Sequence, residues 1–315
     1  MKTKKAQELK PVSKGLMRNL RDHKYAYLMI LPAMIAVFVF MYLPLIGIIL
    51  AFKDYDIMYG IAGSPWVGLE NFIMIFKQPA MLDAIGNTLY LSIINMFGGF
   101  PFPIILAILF NEIWSLKFKK VVQTISYLPH FLSWVSVIGL VYSLFATEGP
   151  VNQIMAQIVG PSYTPVNFLM DSKHFVPIAF WTNIWKSTGW SSVLFLAAIT
   201  GIDPALYEAA TIDGAGKLRQ IWHITLPGIR TTLIIVFVMN MGGLFASNFE
   251  LVYGLQNVYT IDDTEVIGTL IYRTGIQNGN YSVATAFGLS QGLITVTLIL
   301  IANAISKKIA EVSIW

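Results

Sequence analysis

Six long apolar stretches alternate with polar segments along this chain of 315 residues. They cover roughly residues 25–52, 84–110, 121–145, 175–202, 229–253 and 283–305. A bilayer core of about 30 Å requires about 20 apolar residues for each helical crossing. The pattern therefore predicts an all-α membrane protein with six transmembrane helices, which we number span one to span six. They form one membrane domain at 25–308, between an N-terminal segment at 1–24 and a C-terminal tail at 309–315.

A polar-rich stretch at 203–227 separates spans four and five. It begins with Asp203 and Pro204, a residue type that caps helices followed by one that fits the first helical position. Gly214 and Gly216 then permit a turn that a side chain would obstruct. The stretch therefore predicts a helix–turn–helix that projects from the membrane.

The same stretch carries a spaced motif. Glu-Ala-Ala, three residues, Gly, nine residues, Ile, one residue and Leu-Pro follow in this order, at Glu208, Ala209, Ala210, Gly214, Ile224, Leu226 and Pro227. This stretch resembles the signature loop of permease subunits of binding-protein-dependent ABC importers, which have the type I fold. In that family the loop is a coupling helix that sits in a cleft of the ATPase subunit. The alternative is an ordinary cytoplasmic loop helix.

The resemblance implies roles and partners. By analogy, the residues that couple to the ATPase are Glu208, Ala209, Ala210, Asp213, Gly214, Ile224, Leu226 and Pro227. The family implies a second and commonly different permease, two ATP-binding subunits and an extracytoplasmic solute-binding protein. ATP and Mg would be bound on these partner subunits, so no cofactor is expected on this chain. The segments at 127–134 and 67–72 resemble the branch that handles oligosaccharides and polysaccharide fragments.

Composition excludes several other classes of protein. Only 12% of the residues are charged and 56% are hydrophobic, whereas soluble domains are about 25% charged. A soluble globular enzyme is therefore excluded. The chain has no cysteine, which removes disulfides and thiolate catalysis. The net charge is +4, but the basic residues are distributed by membrane side and do not form a nucleic-acid-binding surface, so we expect no nucleic-acid partner.

Lysine and arginine predict the orientation, because cytoplasmic loops carry an excess of them. With the N-terminus inside, 16 of the 21 basic residues fall in cytoplasmic segments: Lys2, Lys4, Lys5, Lys10, Lys14, Arg18, Arg21, Lys24, Lys117, Lys119, Lys120, Lys217, Arg219, Arg230, Lys307 and Lys308. Both termini and the signature loop are then cytoplasmic. We expect a multi-pass protein of the bacterial cytoplasmic membrane. The first apolar run is too long for a cleavable signal peptide.

Polar residues inside the spans are candidates for a substrate path, since they are costly in hydrocarbon and usually face a bundle interior or water. The candidates share one helical stripe in span four and one in span five: Asn183, Lys186 and Trp190, then Asn240, Gly243, Ser247 and Glu250. The hypothesis is a hydrophilic path for a sugar, with Trp190, together with Trp181 or Trp185, offering aromatic faces. The alternative is that Lys186 pairs with an acid such as Glu250, or that the polar groups only bond helices together.

The sequence offers little other chemistry. The piece at 214–217 lacks the residues of a phosphate-binding loop, so an ATP site is not predicted. The scattered histidines predict no metal site, and no catalytic residue is expected. Gly288 and Gly292 have the spacing of close helix packing, and the Gly/Pro-rich piece at 98–103 predicts a kink or hinge. The rival functions are a secondary transporter or channel without ATPase partners, and a membrane-embedded enzyme.

Overall fold

The computed structural model describes residues 23–245 and 248–310. The chain divides into two compact units, residues 1–49 and 50–315, which are described separately. In the first, the described part forms helix α1 (Lys24–Val37) and a π-helical turn (Phe38–Tyr42). A 3-10 helix (Leu43–Phe52) then carries the chain into the second unit.

The regular structure of the second unit is helical in its described residues, with one isolated β-bridge between Lys53 and Trp66, and turns and loops connect the helices. Its first helices are α2 (Gly60–Gly63), α3 (Glu70–Lys77), α4 (Pro79–Ile93), α5 (Pro101–Glu112), α6 (Leu116–Tyr127), α7 (Trp134–Phe145) and α8 (Pro150–Val159). The later ones are α9 (Ser172–Thr200), α10 (Pro204–Ile212), α11 (Lys217–Gln220), α12 (Leu226–Gly228), α13 (Arg230–Met241), α14 (Phe249–Leu255), α15 (Ile261–Thr264), α16 (Ile267–Tyr272) and α17 (Tyr281–Ala310).

Helix α9 is the central element of this unit. It has 29 residues and packs mainly against α5. The Asp171 carboxylate caps its start by accepting a hydrogen bond from the Lys173 N–H at 3.0 Å. Its first half contributes Phe175 and Ile178 to one apolar cluster, and its second half contributes Phe195 to another. Because both halves are buried, α9 ties the two clusters together.

The all-helical prediction is confirmed for the described residues. Four helices there are long and apolar enough to cross a membrane, and the number rises to six if each of two bent pairs is one span. The bent pairs are α9 with α10, at 71°, and the segment Lys217–Gly228 with α13, at 63°.

Two predicted spans are not continuous helices. Span three, predicted at 121–145, stops at Tyr127, passes through a 3-10 turn at Leu128–Phe131 and restarts at Trp134. Span five, predicted at 229–253, stops at Met241 and restarts at Phe249. A hydropathy average over about 20 residues does not resolve such breaks, because each interruption is short and still contains apolar residues.

Polar contacts join segments that the charge pattern assigns to the same side. The Asn87 amide donates to the carbonyls of Asp263 and Glu265, each at 3.0 Å, at one end of the bundle. The Lys217 ammonium lies 2.8 Å from the Glu112 carboxylate, which joins the end of α5 to α11. These contacts agree with the predicted alternation of the loops.

Two residues of the segment at 67–72, Gly68 and Asn71, have clear structural roles. Gly68 has a φ of +63°, which favours glycine. Asn71 is buried and donates from its amide to the carbonyls of Ala51 and Lys53, each at 3.0 Å. The segment therefore fastens α3 to the end of the first span.

Glycine permits one very close helix crossing. A Cβ at Gly189 would lie 1.9 Å from the carbonyl oxygen of Ser126, so α9 and α6 touch backbone to backbone there. The close packing predicted for Gly288 and Gly292 is wrong within this chain. A Cβ at Gly288 would meet only Ile271, at 3.9 Å, and one at Gly292 would meet nothing within 4 Å.

We predict that Gly189→Ala destabilises the protein by about 1–3 kcal/mol, because the added methyl group overpacks the crossing. The measurement is thermal unfolding of the detergent-purified chain. Gly292→Ala is the matched control, since its methyl group enters open space on a helix. Equal melting temperatures for the two variants would contradict this account of the crossing.

Candidate functional site

The signature segment, residues 203–227, begins and ends its first helix as predicted. The Asp203 carboxylate accepts a hydrogen bond from the Ala205 N–H at 2.9 Å, and Pro204 occupies the first turn. At the other end, Gly214 has a φ of +78°. Its N–H donates to the Thr211 carbonyl at 3.1 Å, and the next N–H reaches back to Ala210 at 2.8 Å. This is the Schellman arrangement, which favours glycine at this position.

The second arm of the segment is fastened to the first by side chains. After α11, the chain forms a π-helical turn at Ile221–Thr225 and then α12. The Tyr207 hydroxyl and the Thr225 hydroxyl are 2.9 Å apart. The Gln220 amide is buried and donates to the Thr211 hydroxyl at 2.9 Å. The two arms are therefore held together as one body.

The two halves of the spaced motif differ in exposure. No residue of α10 is buried; Glu208, Ala209, Asp213 and Gly214 are exposed and Ala210 is half-buried. Ile224 and Leu226 are half-buried and Pro227 is exposed. Ile212 is also 87% exposed, an unusual position for a large aliphatic side chain. The first half of the motif therefore forms an exposed surface, whereas Ile224 and Leu226 in the second half help to pack the second arm.

A groove of about 460 Å³ runs beside this surface. Glu208, Thr211 and Ile212 line it from α10, and Glu112 lines it from the end of α5. Trp114 on the rim is 92% exposed. The groove and the exposed α10 face together form a surface at one end of the bundle that combines apolar side chains with Glu208 and with the ion pair of Lys217 and Glu112.

A second cavity, of about 510 Å³, lies inside the helical bundle and is called the central cavity below. Helices α4, α5, α9, α13 and α14 contribute to its wall. Its polar lining consists of hydroxyl and amide side chains: Ser92, Asn95, Asn183, Ser187, Thr188, Ser191, Asn240 and Asn248. Phe100, Trp190 and Phe195 supply aromatic surface. The lining can hydrogen-bond a neutral polar molecule, and it carries no charged side chain among the described residues.

The structure brings together four of the seven residues of the predicted stripes. Asn183, Trp190, Asn240 and Gly243 line the central cavity, whereas Lys186 and Glu250 are not part of its wall. Ser247 lies outside the described residues. The continuous stripe predicted in span five is wrong, because α13 ends before it is complete. Trp181 and Trp185 line a separate groove of about 400 Å³ between α7 and α9.

Lys186 has backbone partners rather than an acidic one. It is 5% exposed, and its ammonium lies 2.8 Å from the His130 carbonyl and 3.4 Å from the Pro129 carbonyl. The ammonium also lies 5.0 Å from the centroid of the Trp134 ring. The proposed pairing with Glu250 is therefore wrong, and Glu250 is exposed. A role for Lys186 in the path stays a prediction.

Sequence reasoning missed several wall residues. The Asn183 side-chain amide donates to the side-chain Oδ1 of Asn95 at 2.9 Å, which joins α9 to the π-helical turn after α4. Ser187 and Ser191 extend the Asn183 face at i+4 and i+8, a signal that was available in the sequence. The position of Asn248 depends on the break in span five, which the sequence does not reveal.

The described residues contain no group of three or more His, Asp or Glu side chains that could hold a metal ion. The Thr188 hydroxyl in the cavity wall is buried and has no hydrogen-bond partner among the described residues.

Comparison with known proteins gives one family. The family model of the binding-protein-dependent transport system inner membrane component matches residues 99–311. The polygalacturonan/rhamnogalacturonan transport system permease protein YteP of Bacillus subtilis (strain 168) is 41% identical over 303 residues, 96% of this chain and 94% of that protein. Protein LplB of the same organism is 38% identical over 293 residues, 93% of this chain and 91% of that protein.

A solved structure has the same fold. One chain in the crystal structure of a bacterial alginate ABC transporter, in complex with an alginate pentasaccharide-bound periplasmic protein, superposes with a TM-score of 0.86. The sequence identity is 37%, and the match covers 96% of this chain and 100% of that chain.

We predict that the central cavity contains water. The natural chain has no cysteine, so a single introduced thiol reports its own surroundings. A thiol at Ser191→Cys should react rapidly with a charged methanethiosulfonate reagent in the purified protein, because Ser191 lines the cavity. Val193→Cys, on the same helix but outside the cavity wall, should react slowly because hydrocarbon or detergent covers it. Equal rates would show that the cavity is closed to water.

Proposed function

The chain belongs to the binding-protein-dependent transport system inner membrane components, and on this basis we propose that it is the permease subunit of an ATP-driven ABC importer. Its cargo would be a sugar or an oligosaccharide. The observation that carries the proposal is the exposed helix α10, which bears the Glu-Ala-Ala motif and is ended by a glycine with a positive φ. A helix this short has little stability alone, so its exposed face calls for a partner.

The partner of α10 is proposed to be a separate ATPase chain in the cytoplasm. The excess of basic residues supports cytoplasmic termini and a cytoplasmic signature segment. The exposed α10 face and the adjoining groove offer both apolar and acidic contacts, through Ile212 and Glu208. The protein itself is then not an enzyme, since ATP and Mg are bound and used on the two ATP-binding subunits.

The structure suggests how movement of α10 reaches the path. Only residues 201–203 separate α10 from α9, and the second arm runs through α12 directly to α13. The Tyr207–Thr225 and Gln220–Thr211 contacts hold the two arms together. A displacement of the segment by the ATPase therefore moves α9 and α13, and both line the central cavity. Closure of the ATPase pair would in this way change the access to the path.

The lining of the central cavity supports a sugar as cargo. Amide and hydroxyl groups match sugar hydroxyls in hydrogen bonding, and an aromatic face such as Trp190 can pack on a sugar ring. The named relatives, a polygalacturonan/rhamnogalacturonan permease and an alginate transporter, point to fragments of polysaccharides. The volume is in the range of small-molecule sites, about 300–1,000 Å³.

The remaining partners follow from the same proposal. A second, different permease would complete the path, and an extracytoplasmic solute-binding protein would deliver the sugar to the loops at 53–83 and 254–280. The protein would lie in the lipid bilayer of the bacterial cytoplasmic membrane. A secondary transporter would need a carboxylate for ion coupling in the path, and Glu250, the candidate, is not part of the cavity wall.

We predict that Gly214→Ala weakens ATPase attachment about tenfold, since a side chain in the left-handed region costs about 1–2 kcal/mol and frays the end of α10. The measurement is the amount of ATPase that co-purifies with the tagged chain over a range of ATPase concentrations. Gly216→Ala is the matched control, because Gly216 has a φ of −68° and open space around it. Equal attachment of both variants would contradict the docking role of α10.

We predict that Trp190→Ala lowers ATP-dependent sugar uptake about fivefold while the ATPase stays attached, because one aromatic contact in the path is lost. Uptake is measured in proteoliposomes that contain the assembled transporter and its binding protein. Trp181→Ala, on the same helix but outside the central cavity, should keep normal uptake. A normal rate for Trp190→Ala would exclude Trp190 from the path.

A further inference from the structure

Lys186 places a positive charge near the middle of the longest helix that lines the central cavity. Charged groups at such depth are costly, and they are usually kept because they serve a function. Lys186 is 5% exposed and is not part of the cavity wall, so it does not contact a passing molecule in this conformation. Its function must be sought in the groups that it touches.

Those groups are two backbone carbonyls at a helix end: the Pro129 carbonyl also accepts the Leu132 N–H at 3.2 Å, and the His130 carbonyl makes the shorter contact with the ammonium. The last turn of a helix leaves carbonyl groups without N–H partners, and the 3-10 turn Leu128–Phe131 ends where the chain becomes extended at Leu132. The Lys186 ammonium donates to His130 at 2.8 Å and reaches Pro129 at 3.4 Å. A cation is also favourable at the negative end of a helix. Lys186 thus supplies from α9 the cap that the broken span lacks.

The neighbouring contact shows that the two segments are held closely. Three residues further along α9, Gly189 lies directly against the backbone of Ser126, where a Cβ would be 1.9 Å from the carbonyl oxygen. The Gly189–Ser126 crossing and the Lys186–His130 hydrogen bond therefore hold the end of α6, and the turn after it, against α9. The Trp134 ring, 5.0 Å from the ammonium, covers the cation from the side of α7.

The same 3-10 turn carries the rings that contact Trp190. The His130 ring stacks on Trp190 with centroids 4.9 Å apart and an interplanar angle of 5°. Phe131 meets Trp190 edge-on, at 5.6 Å and 81°. Trp190 in turn lines the central cavity. A continuous chain of contacts thus leads from the buried ammonium, through the backbone and ring of His130, to an aromatic face of the cavity.

We propose that Lys186 is a positioning residue: it holds the turn Leu128–Phe131 against α9, keeps the His130 ring stacked on Trp190, and so sets the face that Trp190 presents to the cavity. The consequence for sugar passage rests on the proposed function. The positioning itself depends only on the contacts of this chain.

Lys186→Met is the informative variant. Methionine has a similar length and volume but has no hydrogen atom to donate, so it removes the cap without opening a large void. Removal of a buried charge also removes its desolvation cost, and for this reason we expect the variant to fold and assemble. The His130 carbonyl then loses the ammonium that donates to it, the Pro129 carbonyl keeps only the Leu132 N–H, and the turn that carries His130 is released.

The test is 19F NMR of the assembled transporter, with this chain labelled with 5-fluorotryptophan. Trp190→Phe identifies the Trp190 signal by its loss. We expect Lys186→Met to displace or broaden this signal by more than its linewidth, while the signal of the remote Trp114 stays in place. His130→Leu, which keeps the backbone acceptors but removes the stacked ring, should move the Trp190 signal and leave that of Trp134 unchanged. Lys307→Met, which removes an exposed ammonium from α17, should move neither.

An unmoved Trp190 signal in Lys186→Met or in His130→Leu would overturn the proposal. If Lys186→Met does not assemble, Lys186→Gln takes its place, because a shorter amide cannot reach both carbonyls. In that variant, a Trp190 signal displaced in the direction seen for His130→Leu supports the proposal, and an unmoved signal overturns it.

The outcome is separate from that of the proposed function. Absence of ATP-dependent uptake by the unsubstituted transporter would overturn the importer assignment and leave the NMR result standing. Conversely, unmoved signals in a transporter with normal uptake would overturn only the role of Lys186.

Discussion

Backbone N–H and carbonyl groups at the helix breaks must find hydrogen-bond partners within the protein, because hydrocarbon offers no water to them. Each break is closed by side chains. Ser133 caps the restart of α7 with its hydroxyl, and Lys186 from α9 takes the carbonyls before the break. At the other break, the Gln291 amide donates to the Phe245 carbonyl, and Asn248 caps α14. Polar residues inside the spans are therefore needed for the fold as well as for any path.

The breaks also shape the central cavity. Where α13 stops, Asn240 and Asn248 face the cavity from the two sides of the interruption. Where α4 passes through its π-helical turn, Asn95 reaches Asn183. Helix α9 forms a common wall for these groups and leads, through a bend of 71°, into the exposed helix α10. The element that would receive the ATPase and the element that lines the central cavity are thus neighbours in the chain.

Local signals in the sequence predicted much of this arrangement. Asp203 and Pro204 identify the start of α10 and Gly214 its end, because capping depends on residue type at fixed positions. The breaks in spans three and five escaped prediction, since hydropathy averages over residues whose backbone geometry is set by distant partners. For the same reason the alternative of an acidic partner for Lys186 is not met, since its partners are the carbonyls of His130 and Pro129. The wall residues Asn95 and Asn248 could not be placed without those breaks.

Helix α10 is proposed to connect this chain to a separate ATPase. The most direct measurement is purification of the tagged chain from its native membrane in mild detergent, with mass-spectrometric identification of the proteins that accompany it. We expect a second permease and an ATP-binding subunit to accompany the chain, and we expect Glu208→Lys to lose the ATP-binding subunit. A chain that purifies alone and transports its substrate in liposomes without ATP would contradict the docking of α10 on an ATPase.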